Sequence, residues 1–126
     1  MIIGLLVNPI AGMGGRVGLK GTDGVVDEAL ERGAEPVSPG RALDFLEAFR
    51  EDLLSNSAYD IEVWTCPEKM GGNMMSEAGI NHNTIDIDIP DDTSAKDTKR
   101  CVPKLYETGV QLLVFVGGDG TARDIL

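Results

Sequence analysis

Two short stretches of this chain hold residues whose types and spacing suit chemistry on phosphates. The first is Gly117-Gly118-Asp119-Gly120-Thr121. An aspartate with glycine on both sides leaves its carboxylate open to a substrate without side-chain hindrance. Asp119 suits a general base that takes a proton from an attacking hydroxyl. It suits equally well a ligand for Mg²⁺ beside phosphates, or a plain helix N-cap. Gly120 and Thr121 add free N–H groups and a hydroxyl at an expected helix start, where phosphate is favoured.

The second stretch is Asn8-Pro9-Ile10-Ala11-Gly12-Met13-Gly14-Gly15-Arg16, with Lys20 close behind. It is not a Walker A loop, because Lys20 is followed by Gly21 where Ser or Thr belongs. It is not a dinucleotide fingerprint either, since Val17 stands where the third glycine belongs. What remains is a turn rich in free amides with two cations nearby, a nest able to hold a polyphosphate. Residues 1–22 contain no Asp or Glu, and seven of the 16 glycines fall within residues 1–24. The candidate binding residues are therefore Asn8, Gly12, Gly14, Gly15, Arg16 and Lys20 on the first loop. On the second they are Gly117, Gly118, Gly120 and Thr121.

Parallel strands and their helices must hold these loops. Residues 2–7 and 112–116 are continuous apolar runs, the mark of strands inside a parallel sheet. Both run directly into the glycine loops. Residues 60–66 and 84–89 alternate as strands, the latter with Ile85, Ile87 and Ile89 on one face. Helices are expected over 25–31, from Ser38 (as N-cap, with Pro39 first in the helix) to about Asn56, after Pro67, and after Ser94. The second of these carries Ala42, Leu46, Phe49 and Leu53 as an apolar stripe. Met70, Met74 and Ala78 share a face of the third, which Gly71-Gly72 weakens. Ser94 with Asp97 forms a capping box, and Pro103 should kink the helix that follows. Alternating strands and helices mean an α/β fold, a Rossmann-like open and mostly parallel sheet flanked by helices. Ligands in such sheets bind at the carboxyl ends of strands, which is where both loops stand.

The composition excludes several functions. The chain has 126 residues, enough for one domain and one core. Its 21 acids against 11 bases give a net charge of −10, which argues against a nucleic-acid partner and against charge-driven membrane docking. The apolar N-terminal run is seven residues long, too short for a targeting or spanning segment. Cys66 and Cys101 show neither zinc spacing nor a disulfide framework, so a reduced, cytoplasmic setting is expected. His82 reads as a surface residue. Asp86, Asp88, Asp91 and Asp92 lack calcium-loop spacing and read as a solvated face. Lys96, Lys99, Arg100 and Lys104 read the same way.

The two loops together resemble the NAD kinase/diacylglycerol kinase superfamily. The long block from Asn8 to Gly24 and the ending Ala122-Arg123-Asp124 are similar to its ATP- or polyphosphate-dependent NAD kinase-like branch. The resemblance covers residues 1–24 and 112–125 closely and the middle weakly. It implies ATP or polyphosphate as donor, Mg²⁺, and phosphoryl transfer to the 2′-hydroxyl of NAD. Asp119 would then be the catalytic base, and the neighbouring glycines would contact nucleotide phosphates. It implies further that residues 1–126 form the nucleotide-binding domain, that a second, β-rich domain is absent from this chain, and that the chain alone is inactive. Small nucleotides are the expected partners, with self-association through exposed sheet edges. A lipid kinase of the same superfamily, or a nucleotide sensor without turnover, are the rival expectations.

Overall fold

The computed structural model describes residues 1–12, 36–55 and 60–126. The helix expected over 25–31 lies outside them. Among the described residues there are four strands: β1 (Ile2–Val7), β2 (Glu62–Thr65), β3 (Asn83–Thr84) and β4 (Leu112–Val116). The helices are α1 (Ser38–Ser55), α2 (Gly72–Glu77), α3 (Ala95–Glu107) and α4 (Asp119–Ile125).

The strands form one sheet in the order β3-β2-β1-β4, and every pairing is parallel. The fold is therefore an α/β open sheet flanked by helices. Its order reverses at β1: the chain builds outward through β2 and β3, then returns to place β4 on the other side. β1 is central and buried, as its unbroken apolar run requires. Its side chains alternate between two cores. Leu5 and Val7 pack with Ala42, Leu46, Val63, Met74 and Met75. Leu6 packs on the opposite face with Cys66, Met70, Ile85, Cys101 and Leu105. β4 is equally apolar but stands at the sheet's end, and Leu112 and Phe115 are exposed. Among the described residues its outer edge has no strand partner.

α1 lays its stripe on the first core, with Ala42 and Leu46 fully buried and Phe49 at the margin. Ser38 does not cap it as expected. The helix begins one residue earlier, with the Val37 carbonyl accepting from the Arg41 N–H at 3.3 Å. The Ser38 hydroxyl instead donates to the Ala11 carbonyl at 3.1 Å. α3 starts as expected. Ser94 Oγ accepts from the Lys96 N–H, and Asp97 accepts from the Ser94 N–H at 2.9 Å. The helix continues through Pro103 to Glu107.

Two expected elements differ. The helix after Pro67 is split, a 3-10 turn at Glu68–Met70 and then α2, with Gly71 between them at φ +151°. Met70 and Met74 consequently enter different cores. The strand expected over 84–89 is laddered only at Asn83–Thr84. Ile85 is buried and Ile87 and Ile89 pack against the same cluster, so the alternation is real. The ladder stops because β2 ends at Thr65, and Cys66-Pro67 turn away into the 3-10 helix.

Both thiols are free and fully buried in the same core cluster. Their interaction, with burial, pushes the Cys66 thiol well above the ordinary range, while the same interaction lowers Cys101. The basic residues of α3 are partly paired, Arg100 with Asp97 at 3.0 Å and Lys99 with Asp124 at 3.7 Å. Among the described residues, no helix is long and apolar enough to cross a membrane.

Candidate functional site

β1 and β4 run side by side in register, Val7 opposite Val116, so they end level. The loops that follow leave the sheet together at its carboxyl edge, at the point where strand order reverses. This is where open α/β sheets form ligand crevices.

The first loop is held by its own asparagine. The Asn8 N–H donates to the Val116 carbonyl at 2.9 Å, joining the two strand ends. Asn8 Nδ2 donates to Thr121 Oγ1 at 2.9 Å, and Asn8 Oδ1 accepts from the Ile10 N–H at 3.2 Å. The Ala11 N–H closes the turn on the Asn8 carbonyl at 3.2 Å. Gly12 follows with φ +81°, a conformation that favours glycine. Asn8 and Thr121, two of the predicted binding residues, thus clasp one loop to the other, and Thr121 is buried.

On the second loop the glycines differ in what demands them. A Cβ on Gly117 would overlap the Thr121 side chain, so packing requires glycine there. Gly118 has an ordinary extended backbone and open space where a Cβ would stand. Its bare backbone faces the cleft and leaves room for a ligand. Gly118 is also the cap position of α4, and Asp119 is the first residue of the helix. Asp119 is therefore not an N-cap. Its carboxylate is exposed, with no hydrogen-bond or ion-pair partner among the described residues.

Between the loops and α1 lies a cleft of about 440 Å³. Gly12, Gly117 and Gly118 line it, together with Val37, Arg41 and Phe45 of the α1 side and the end of β4. Among the described residues, no carboxylate lines it. Arg41 and Phe45 are the residues that sequence reasoning missed. A signal existed: residues 36–43 carry no acid, and Arg41 falls in the first turn of a helix that the sequence itself announces. Gly14, Gly15, Arg16 and Lys20 lie outside the described residues. Gly120 sits in the first turn of α4. Among the described residues, no group of three or more His, Cys, Asp and Glu is placed to hold a metal. A cation here would draw its remaining ligands from phosphate oxygens beside the single carboxylate of Asp119.

The cleft brings bare backbone and a guanidinium together, and the Asp119 carboxylate follows directly after Gly118 in its wall. That set can bind an anionic substrate and accept a proton from it. Comparison with curated proteins yields no match, and neither does comparison with solved structures. The family model described as ATP-NAD kinase N-terminal domain matches residues 3–126, spanning the sheet and both glycine loops, and the chain belongs to that family.

Proposed function

We propose that this site transfers the terminal phosphoryl group of ATP, or of polyphosphate, to the 2′-hydroxyl of NAD. The observation that carries the reading is the meeting of two glycine loops at the carboxyl edge of β1 and β4, with the Asp119 carboxylate, which has no partner among the described residues, directly after Gly118. In this reaction the hydroxyl oxygen attacks the terminal phosphorus, the bond from phosphorus to the bridging oxygen breaks, and the shortened donor leaves. The proton of the hydroxyl passes to Asp119. Family membership supports kinase chemistry of this general type.

Catalysis of phosphoryl transfer rests mainly on positioning and on charge neutralisation. The clasp between Asn8 and Thr121 fixes the spacing of the two loops. Gly118 lets the substrate approach the backbone. A Mg²⁺ ion bound with the donor would neutralise phosphate charge.

The test is NADP formation by the protein containing this chain, supplied with NAD, Mg²⁺ and ATP or polyphosphate. Asp119→Asn should lower turnover by about a hundredfold or more, the scale of a general base. Full turnover in that variant would remove Asp119 from the chemistry. Product from another hydroxyl compound, and none from NAD, would replace the acceptor.

A further inference from the structure

The guanidinium of Arg41 has no partner among the described residues. The chain as a whole offers 21 acids to 11 bases, so carboxylates are not scarce. What sets Arg41 apart is its place. It lines the cleft together with the backbone of Gly117 and Gly118, and among the described residues no acid shares that lining. A cation beside bare backbone, with no described acid to pair with it, attracts an anion. Arginine presents five N–H donors in a planar fork that matches phosphate oxygens two at a time.

Phe45 stands one helical turn further on and lines the same cleft. Its ring stacks on Phe49, with centroids 5.6 Å apart and planes 11° from parallel. Beyond it the cleft meets a second, wholly apolar cavity of about 260 Å³, which Phe45 and Val114 also line. The cleft is therefore graded. It is cationic near the glycine loops and apolar further along β4.

We propose that Arg41 is the anion anchor of this cleft, binding the polyphosphate chain of the phosphoryl donor. The assignment rests on the phosphoryl-transfer reading above. It places the donor chain between α1 and the loop after β4, with its reactive end toward Asp119. Arg41 takes no part in bond making. It holds the chain and offsets its charge. The same phosphate chemistry comes from two sources, a nucleoside triphosphate and inorganic polyphosphate.

The test is calorimetric titration of the chain with tripolyphosphate and, separately, with ATP, in wild type, Arg41→Gln, Arg41→Lys and Asp119→Asn. Arg41 is exposed, so its variants should keep the wild-type circular dichroism. Loss of a charge-assisted contact predicts affinity about tenfold weaker or more in Arg41→Gln for both ligands. Arg41→Lys should recover part of it, and Asp119→Asn should keep or gain affinity. ATP bound more than about tenfold tighter than tripolyphosphate would identify the nucleotide as the source. Equal affinities would identify the inorganic chain as sufficient. Undiminished affinity in Arg41→Gln would overturn the anchor and leave the phosphoryl-transfer reading standing. Weakened binding in Arg41→Gln, with no phosphoryl transfer to any hydroxyl compound by the wild-type protein, would keep the anchor and overturn the phosphoryl-transfer reading.

Discussion

Asn8 does more for this site than its position in a glycine loop suggests. Three of its polar groups join elements: its N–H to Val116, its amide nitrogen to Thr121, and its carbonyl to Ala11. The side-chain bond to Thr121 links residues 113 apart in sequence and is the direct tie between the loops. Thr121→Val keeps the shape of the buried side chain and removes the acceptor. It should cost about 1–2 kcal/mol, because the Asn8 amide is left unpaired in a partly buried place. Guanidinium denaturation checks the stability loss. A double-mutant cycle with Asn8→Ala should show coupling of the two changes. Asp119 stands in contrast. Nothing in the described fold uses its carboxylate, so Asp119→Asn should leave stability within about 0.5 kcal/mol. On the proposed function its main effect falls on turnover.

At the scale of elements, the break at Gly71 decides how the middle of the chain is built. Gly71 has φ +151°, and a Cβ there would overlap Thr65 Oγ1. That hydroxyl is buried and donates to the Leu5 carbonyl at 2.9 Å, tying β2 to β1. Gly71→Ala should therefore strain the backbone and disturb a buried bond, at a cost of about 2–4 kcal/mol. Gly40 is the control. It lies within α1 with nothing within 4 Å of a built Cβ. Gly40→Ala should stabilise by about 0.5–1 kcal/mol through helix propensity and reduced chain entropy. Thermal midpoints of the two variants should move in opposite directions. The contrast also explains why a helix expected after Pro67 becomes a 3-10 turn and a short α-helix. Glycine spacing showed that the helix was weak, but only the packing of Thr65 shows where it must break.

For the molecule as a whole, charge works against compactness. With a net charge of −10 on 126 residues, like charges repel across the molecule. Salt screens such repulsion over about 10 Å at 0.1 M. Raising ionic strength from about 0.01 to 0.15 M should therefore raise the thermal midpoint. A lower midpoint would mean that favourable pairs such as Arg100–Asp97 outweigh the repulsion. The same acidity gives the cleft its contrast. On an acidic protein, a cleft with no carboxylate among its described lining residues is where an anionic substrate is least opposed.

Much of the fold was legible because its signals are local. Apolar runs over β1 and β4, the stripe of α1 and the Ser94–Asp97 box depend on neighbours in sequence, and backbone geometry converts each into an element. The glycine loops and Asp119 were legible for the same reason, since their types and spacing carry the chemistry. Strand order was not, because it depends on which apolar faces find each other across long stretches of chain. That order put Val7 beside Val116 and so made one crevice of two loops. It likewise brought Arg41 and Phe45 to the cleft, 29 and 33 residues beyond Gly12 in sequence. The pairing of Asn8 with Thr121 and the halt of the ladder at Thr84 have the same origin. Sequence determined the parts and their chemistry; the packing of helices on a four-stranded sheet decided which parts meet.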